Sequence, residues 1–162
     1  MRSSYQRLII ALLLLLPLPG CASTTTLERI LAEQETPPGV VIEIVTSDSR
    51  GLDWALPRAS NDIQRLRQRF PGIPIAIVSH GREQFALQRS KQREAAKVHS
   101  LTQTLRKDKV QLHVCGTYAE REGLSKEDFP DYVDVAAAGP AQVNDYLALG
   151  YKLLRIKRRD AE

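Results

Sequence analysis

The stretch Val110-Gln-Leu-His-Val-Cys115 leads directly into Gly116-Thr117. An apolar run followed by glycine is typical of a strand that ends in a turn. The thiol of Cys115 would then stand at the carboxyl end of that strand. The stretch therefore predicts a strand with a candidate reactive group at its tip.

Four further apolar runs predict strands on either side of this one. They are short and rich in valine, isoleucine, leucine and alanine, and Pro74 is tolerable only near the start of its strand. With the strand at 110–114, the predicted strands cover 40–45, 73–78, 133–138 and 151–156.

Helical patterns separate these strands. Pro57 suits the first turn of one helix, Ser90 is a candidate cap for a second, and a capping box at 125–128 opens a short third. A last helix is opened by Gly139-Pro140 and closed by Gly150. Residues at helical spacing are expected to face the core: Ala59, Ile63, Leu66, Phe70, Ala95, Val98, Leu101, Leu105, Val143, Tyr146 and Leu147.

The alternation of strands and helices indicates the fold class. Strands joined through helices form β-α-β crossovers, which produce parallel pairing and place helices over the sheet. We therefore predict an α/β protein with a three-layer α/β/α architecture and a mostly parallel five-stranded sheet. In such sheets ligands bind beyond the carboxyl ends of the strands.

The first residues have the pattern of an export signal. Arg2 and Arg7 precede an apolar run at 8–18, which is shorter than a comfortable membrane span. Leu18-Pro-Gly-Cys21 resembles the bacterial lipoprotein box, in which the cysteine becomes the lipidated first residue of the mature chain. An ordinary cleaved signal with an incidental cysteine is the alternative.

These features predict four segments. They are a signal peptide at 1–20, a lipid-anchored tether at 21–38 that begins at Cys21 and carries palmitate or a similar chain, a folded domain at 39–156 and a basic tail at 157–162. Ala22 after the cysteine resembles lipoproteins sorted to the outer membrane. We therefore expect a bacterial cell-envelope protein on the periplasmic face of the outer membrane.

Composition narrows the choice of partners. The formal net charge is +4, and the basic excess is concentrated near the carboxyl terminus, where a solvated tail explains it. We therefore expect no nucleic-acid partner. No Cys-x-x-Cys, glycine-rich phosphate loop or G-x-S-x-G motif occurs in the sequence, so we predict no cofactor and no metal site.

The strand ends supply the candidate site residues. Cys115 is the predicted catalytic group, a nucleophile or sulfur acceptor whose thiolate nearby N–H groups would favour. His80 would approach it if the strands at 73–78 and 110–114 are neighbours. Gly81, Gly116 and Thr117 complete the predicted ligand-binding set. A buried, structural Cys115 is the alternative.

The other two histidines have simpler interpretations. His113 lies two residues before Cys115 and therefore on the same face of the strand, where it would pack against a covering helix. His99 lies one residue off the apolar stripe of its helix and is expected at the surface.

Several of these motifs together resemble the DsrE/DsrF-like family. The motifs are the valine-cysteine strand end at 114–115, Gly123-Leu-Ser-Lys-Glu-Asp-Phe129, Ala138-Gly139, Gly150-Tyr151 and Val78-Ser-His-Gly81. The resemblance covers roughly 39–156. It implies a three-layer α/β/α domain that forms homo- or hetero-oligomers. In sulfur-relay members, the cysteine equivalent to Cys115 carries sulfur as a persulfide between a donor and an acceptor protein.

Two functions follow as hypotheses. The first is a membrane-anchored sulfur carrier, more a binding protein than a turnover enzyme, in which Cys115 accepts sulfane sulfur. Its partners would be the membrane, a sulfur donor or acceptor protein and further copies of the chain. The second is a lipid-anchored interaction or oligomerisation module with a packed, inert Cys115.

Overall fold

A computed structural model describes residues 26–158 of the chain. Five strands form a single sheet in the order β4-β3-β2-β1-β5, and every neighbouring pair is parallel. The predicted α/β fold with a parallel five-stranded sheet is confirmed. The strands are β1 (Val40–Ile44), β2 (Ile75–Ser79), β3 (Gln111–Cys115), β4 (Asp134–Ala136) and β5 (Lys152–Ile156).

Helices connect the strands, as parallel pairing requires. The α-helices are α1 (Thr26–Leu31), α2 (Leu52–Arg69), α3 (Ala96–Lys107), α4 (Gly116–Arg121) and α5 (Gly139–Ala148). Three short 3₁₀ segments at Arg82–Leu87, Arg89–Lys91 and Lys126–Asp128 complete the described elements.

The two faces of the sheet carry different layers. Buried residues of α1, α2 and α3 join Ile42, Ile77 and Val114 in the larger core cluster. On the opposite face, Val143 and Tyr146 of α5 pack on valines and alanine of β1 and β2. Since side chains alternate along a strand, the face under α5 also receives the side chains of His113 and Cys115.

Helix boundaries differ from the predictions in two places. The first long helix begins at Leu52 rather than at Pro57, because Leu52, Ala55 and Leu56 bury apolar surface upstream of the proline. Likewise Ser90 lies in a 3₁₀ turn, and α3 begins only at Ala96.

Smaller differences concern single side chains. His99 was expected at the surface and is only 4% exposed, because its Nδ1 pairs with the Tyr132 hydroxyl at 2.7 Å. Leu147 was expected to face inward and is 38% exposed. The predicted closure at Gly150 is confirmed by its positive φ of 84°.

Part of the predicted tether is folded. Thr26–Leu31 forms α1, in which Leu27 and Ile30 are buried at 6% and 4% exposure. Arg65 of α2 binds Glu28 at 2.8 Å and fastens α1 to the domain. These contacts make α1 part of the core rather than a spacer.

The other predictions for the two ends of the chain concern residues that the structure does not describe. The signal peptide at 1–20, Cys21 and the end of the basic tail lie outside the described residues. Within residues 26–158, no helix has the length and apolar character needed to cross a bilayer.

Candidate functional site

Cys115 is the last residue of β3, a strand that lies between β2 and β4. It is a free thiol and only 6% exposed. The backbone turns at once into α4, so the thiol lies at the carboxyl edge of the sheet. This is the position at which parallel α/β folds bind ligands.

A buried glutamine fixes the backbone of this cysteine. The amide N–H of Cys115 donates to Oε1 of Gln84 at 2.7 Å, and Nε2 of Gln84 donates to the Cys115 carbonyl at 3.4 Å. Gln84 is fully buried in the 3₁₀ segment that follows β2. Sequence reasoning missed this residue because a polar side chain in a segment without helical or strand periodicity gives no signal.

Glu83, the residue before Gln84, forms hydrogen bonds at the ends of the two neighbouring strands. Glu83 is also fully buried, and its carboxylate accepts hydrogen bonds from Ser79 Oγ (2.8 Å), Gly81 N (2.9 Å) and Thr46 N (2.9 Å). These three donors satisfy a carboxylate that burial would otherwise penalise. Glu83 and Gln84 together tie the carboxyl ends of β1, β2 and β3 to one short segment.

His80 lies on the edge shared with Cys115. Strands β2 and β3 are neighbours, with Ser79 opposite Val114, so the condition set for the approach of His80 to Cys115 is met. Nε2 of His80 lies 3.0 Å from Oε1 of Glu43, and Oε2 of Glu43 accepts a hydrogen bond from Nε of Arg155 at 2.6 Å. The side chains of His80 and Glu43 are nearly buried, at 13% and 12% exposure.

Gly139 joins these groups. A Cβ placed on Gly139 would lie 2.3 Å from Cβ of His80 and 3.3 Å from Cβ of Cys115. A glycine is therefore required where the first turn of α5 approaches both residues. The amino end of α5, with its partial positive charge, adjoins the thiol.

The three other predicted ligand-binding residues have local partners. The N–H of Gly81 is taken by Glu83, as described above, and Thr117 donates from both N and Oγ1 to the Ala137 carbonyl, at 3.0 and 2.7 Å. Gly116 packs closely against the backbone of Ala136. It also lines a hollow of about 270 Å³ shared with Val135, Ala136 and Lys126.

A second polar cluster lies deeper on the face under α5. Nε2 of His113 is 2.8 Å from the hydroxyl of Tyr146, which itself donates to Oε1 of Gln111. Burial lowers the pKa of His113, against the opposing effect of the Asp134 carboxylate, and burial raises the pKa of Tyr146 to about 12. His113 therefore pairs with a covering helix, as its position in the strand predicted.

Metal-binding side chains are scattered in the part of the chain that the structure describes. No three histidine, cysteine, aspartate or glutamate side chains within residues 26–158 group in a way that could hold an ion. The chemistry that these described residues offer is that of a thiol beside an imidazole and a carboxylate.

Solved structures with a similar fold include those of two proteins. The protein of unknown function MTH1491 from Methanobacterium thermoautotrophicum gives a TM-score of 0.57 at 19% identity, over 72% of this chain and 96% of that one. The ychN protein from E. coli gives 0.53 at 16% identity, over 72% and 98%. At these identities the likeness establishes the fold alone. No curated protein matches the chain.

The family model of the DsrE/DsrF-like family matches residues 43–156. The match includes Glu43, His80, Cys115, Gly139 and Arg155, and so every group of the site just described. The chain belongs to the DsrE/DsrF-like family, which is linked to sulfur relay.

Proposed function

We propose that this protein is a membrane-anchored sulfur carrier in which Cys115 accepts sulfane sulfur as a persulfide. The observation that carries the proposal is the position of Cys115: a free thiol at the carboxyl edge of the sheet, next to His80 and the amino end of α5. The chain belongs to a family linked to sulfur relay, and this membership supports sulfur as the group that Cys115 carries.

The chemistry needs no outside oxidant. The thiolate of Cys115 attacks a sulfur atom of a polysulfide, so that a new S–S bond forms as the S–S bond of the donor breaks. The shortened polysulfide leaves with the electron pair, and the thiol proton passes to His80 or to water. An acceptor thiolate that attacks the outer sulfur regenerates the Cys115 thiolate.

The surroundings suit an anionic sulfur. A helix amino terminus favours negative charge, and an adjacent imidazolium does the same. Gly139 allows α5 to approach Cys115 closely, and His80 lies against the same glycine. Both features can stabilise the negative charge that the outer sulfur carries during transfer.

Intact mass spectrometry tests the carrier function. The full chain, purified in detergent, is exposed to sodium polysulfide, and the wild type is expected to gain the mass of one or more sulfur atoms. The Cys115→Ser variant should gain none, whereas Cys21→Ser should gain as much as the wild type. Equal addition to wild type and Cys115→Ser would refute the proposal.

Burial of Cys115 favours a second candidate, the interaction or oligomerisation module with an inert thiol. At 6% exposure the thiol has little access to a large donor. Native-state alkylation with iodoacetamide separates the two functions. A thiol that reacts only after unfolding supports the module, and a thiol that reacts in the folded protein supports the carrier.

We also propose that lipidated Cys21 anchors the protein to the periplasmic face of the outer membrane. The lipoprotein-like sequence that ends at this residue supports the anchor. Incorporation of labelled palmitate should depend on Cys21, and Cys21→Ser should leave the membrane fraction. A sulfur donor or acceptor protein and further copies of the chain are the proposed partners.

A further inference from the structure

We propose that Glu43 is a positioning residue for Cys115 and acts through His80. The inference rests on the proposed function, because it describes how the thiol becomes a nucleophile. It assigns a role to two residues, Glu43 and Arg155, that sequence reasoning had not singled out.

Three neighbouring strands, β2, β1 and β5, bring His80, Glu43 and Arg155 to one face of the sheet. Glu43 pairs in register with Val78 of β2 and with Arg155 of β5, and His80 follows Val78 by two residues. Because side chains alternate, Glu43, His80 and Arg155 point to the same side as Cys115. The arrangement has the order of nucleophile, base and orienting carboxylate.

The hydrogen bonds decide which imidazole nitrogen is used. A carboxylate only accepts, so Nε2 of His80, 3.0 Å from Glu43, carries the hydrogen. That leaves Nδ1 as the nitrogen that can accept the thiol proton. A Cβ built on Gly139 would lie 2.8 Å from Cγ of His80 and 3.3 Å from Cβ of Cys115, so the imidazole and the cysteine flank the same glycine. Once His80 is protonated, the carboxylate stabilises the imidazolium that balances the thiolate.

Arg155 keeps Glu43 in place. Its Nε donates to Oε2 while Oε1 serves His80, so each carboxylate oxygen has its own partner. The Arg155 side chain is 60% exposed, whereas that of Glu43 is 12% exposed. The arginine therefore covers the carboxylate from the solvent side.

The charged and titratable groups around His80 come from four directions. Glu43 faces it from β1, Cys115 from β3 and Arg155 from β5 through Glu43, while α5 presents Gly139. Within its own segment, the Glu83 carboxylate binds the N–H of residue 81. His113 and Tyr146 lie farther along the same face.

The alkylation rate of Cys115 by iodoacetamide, measured across pH, tests this role independently of sulfur transfer. The full chain in detergent is used in the Cys21→Ser background, so that a single thiol reports. Glu43→Gln should lower the rate near neutral pH about tenfold, the effect of losing about 1.4 kcal/mol of charged hydrogen bonding, and match the wild type at high pH. Glu33→Gln, which removes a carboxylate from the Lys152 ion pair (3.0 Å), is the matched control and should leave the profile unchanged.

A double mutant separates positioning from a structural effect. If Glu43 acts through His80, Glu43→Gln should change nothing further in a His80→Asn background. An equal additional loss in that background, or an unchanged neutral-pH rate in the single variant, overturns the inference. If the alkylation profiles are as expected but the wild type takes up no sulfur from polysulfide, the proposed sulfur cargo is refuted and the role of Glu43 stands.

Discussion

The buried side chain of Gln84 offers a strong test of how the fold holds Cys115. Replacement by leucine keeps the approximate volume and removes both the acceptor of the Cys115 N–H and the donor to its carbonyl. The N–H bond, at 2.7 Å, is the stronger of the two, and the 3.4 Å bond contributes little. The variant therefore leaves one good buried donor without a partner.

The expected cost follows from that unpaired donor. A buried N–H without a partner costs about 1–3 kcal/mol, so the free energy of unfolding of Gln84→Leu should fall by about 2 kcal/mol. With an m-value of roughly 2 kcal/mol per molar, the urea midpoint then drops by about 1 M. Alkylation of Cys115 should also change, because the backbone that carries the thiol is released.

Gln92→Leu is the matched control. Gln92 is exposed, and its side-chain amide donates a long hydrogen bond, 3.4 Å, to the Tyr132 hydroxyl. Its loss should change the free energy of unfolding by less than about 0.5 kcal/mol. If Gln84→Leu behaves like this control in both stability and alkylation, the hydrogen bonds between Gln84 and the Cys115 backbone do not hold the thiol in place.

Two other perturbations test the close packing at Gly139 and the two buried histidines, His99 and His113. Gly139→Ala places a methyl group against His80, so differential scanning calorimetry should show a loss of about 1–3 kcal/mol, and a wild-type melting curve would contradict the close approach. Stability should also fall as the pH drops below about 6.5, because burial lowers the pKa of His99 and His113 and the unfolded chain takes up protons first. Urea unfolding at several pH values should show that the free energy of unfolding stops falling below the folded-state pKa values of the two histidines. His113→Asn should reduce the loss. An equally steep pH dependence in that variant would contradict the assignment to His113.

The centre of the sheet could be predicted from the sequence because β1 and β2 are buried on both faces along almost their whole length. The run 75–78 is apolar throughout, the run 40–44 is apolar except for Glu43, and parallel pairing follows from the helices between the strands. Helix starts were less readable. Ser90 and Pro57 are strong local signals, yet burial of Leu52 and Leu56 outweighed them at one helix.

The candidate site was predictable only in part. Cys115 and His80 stand at strand ends, where position alone draws attention. Glu43 sits within an apolar strand, and its partner Arg155 is far away in sequence, so only the register between β1 and β5 reveals the pair. The role of Gln84 could not be predicted, because the residue lies in a 3₁₀ segment whose path does not follow from local periodicity.

The pairing of β1 with β5 links the two ends of the described fold. Glu43 and Arg155 are separated by 112 positions along the chain and by 2.6 Å in space. The carboxylate behind His80 can acquire its second partner only after the last strand has docked beside the first. An intermediate that lacks β5 would therefore leave the Glu43 carboxylate beside His80 without its arginine partner, so the last strand of the sheet completes the surroundings of the imidazole.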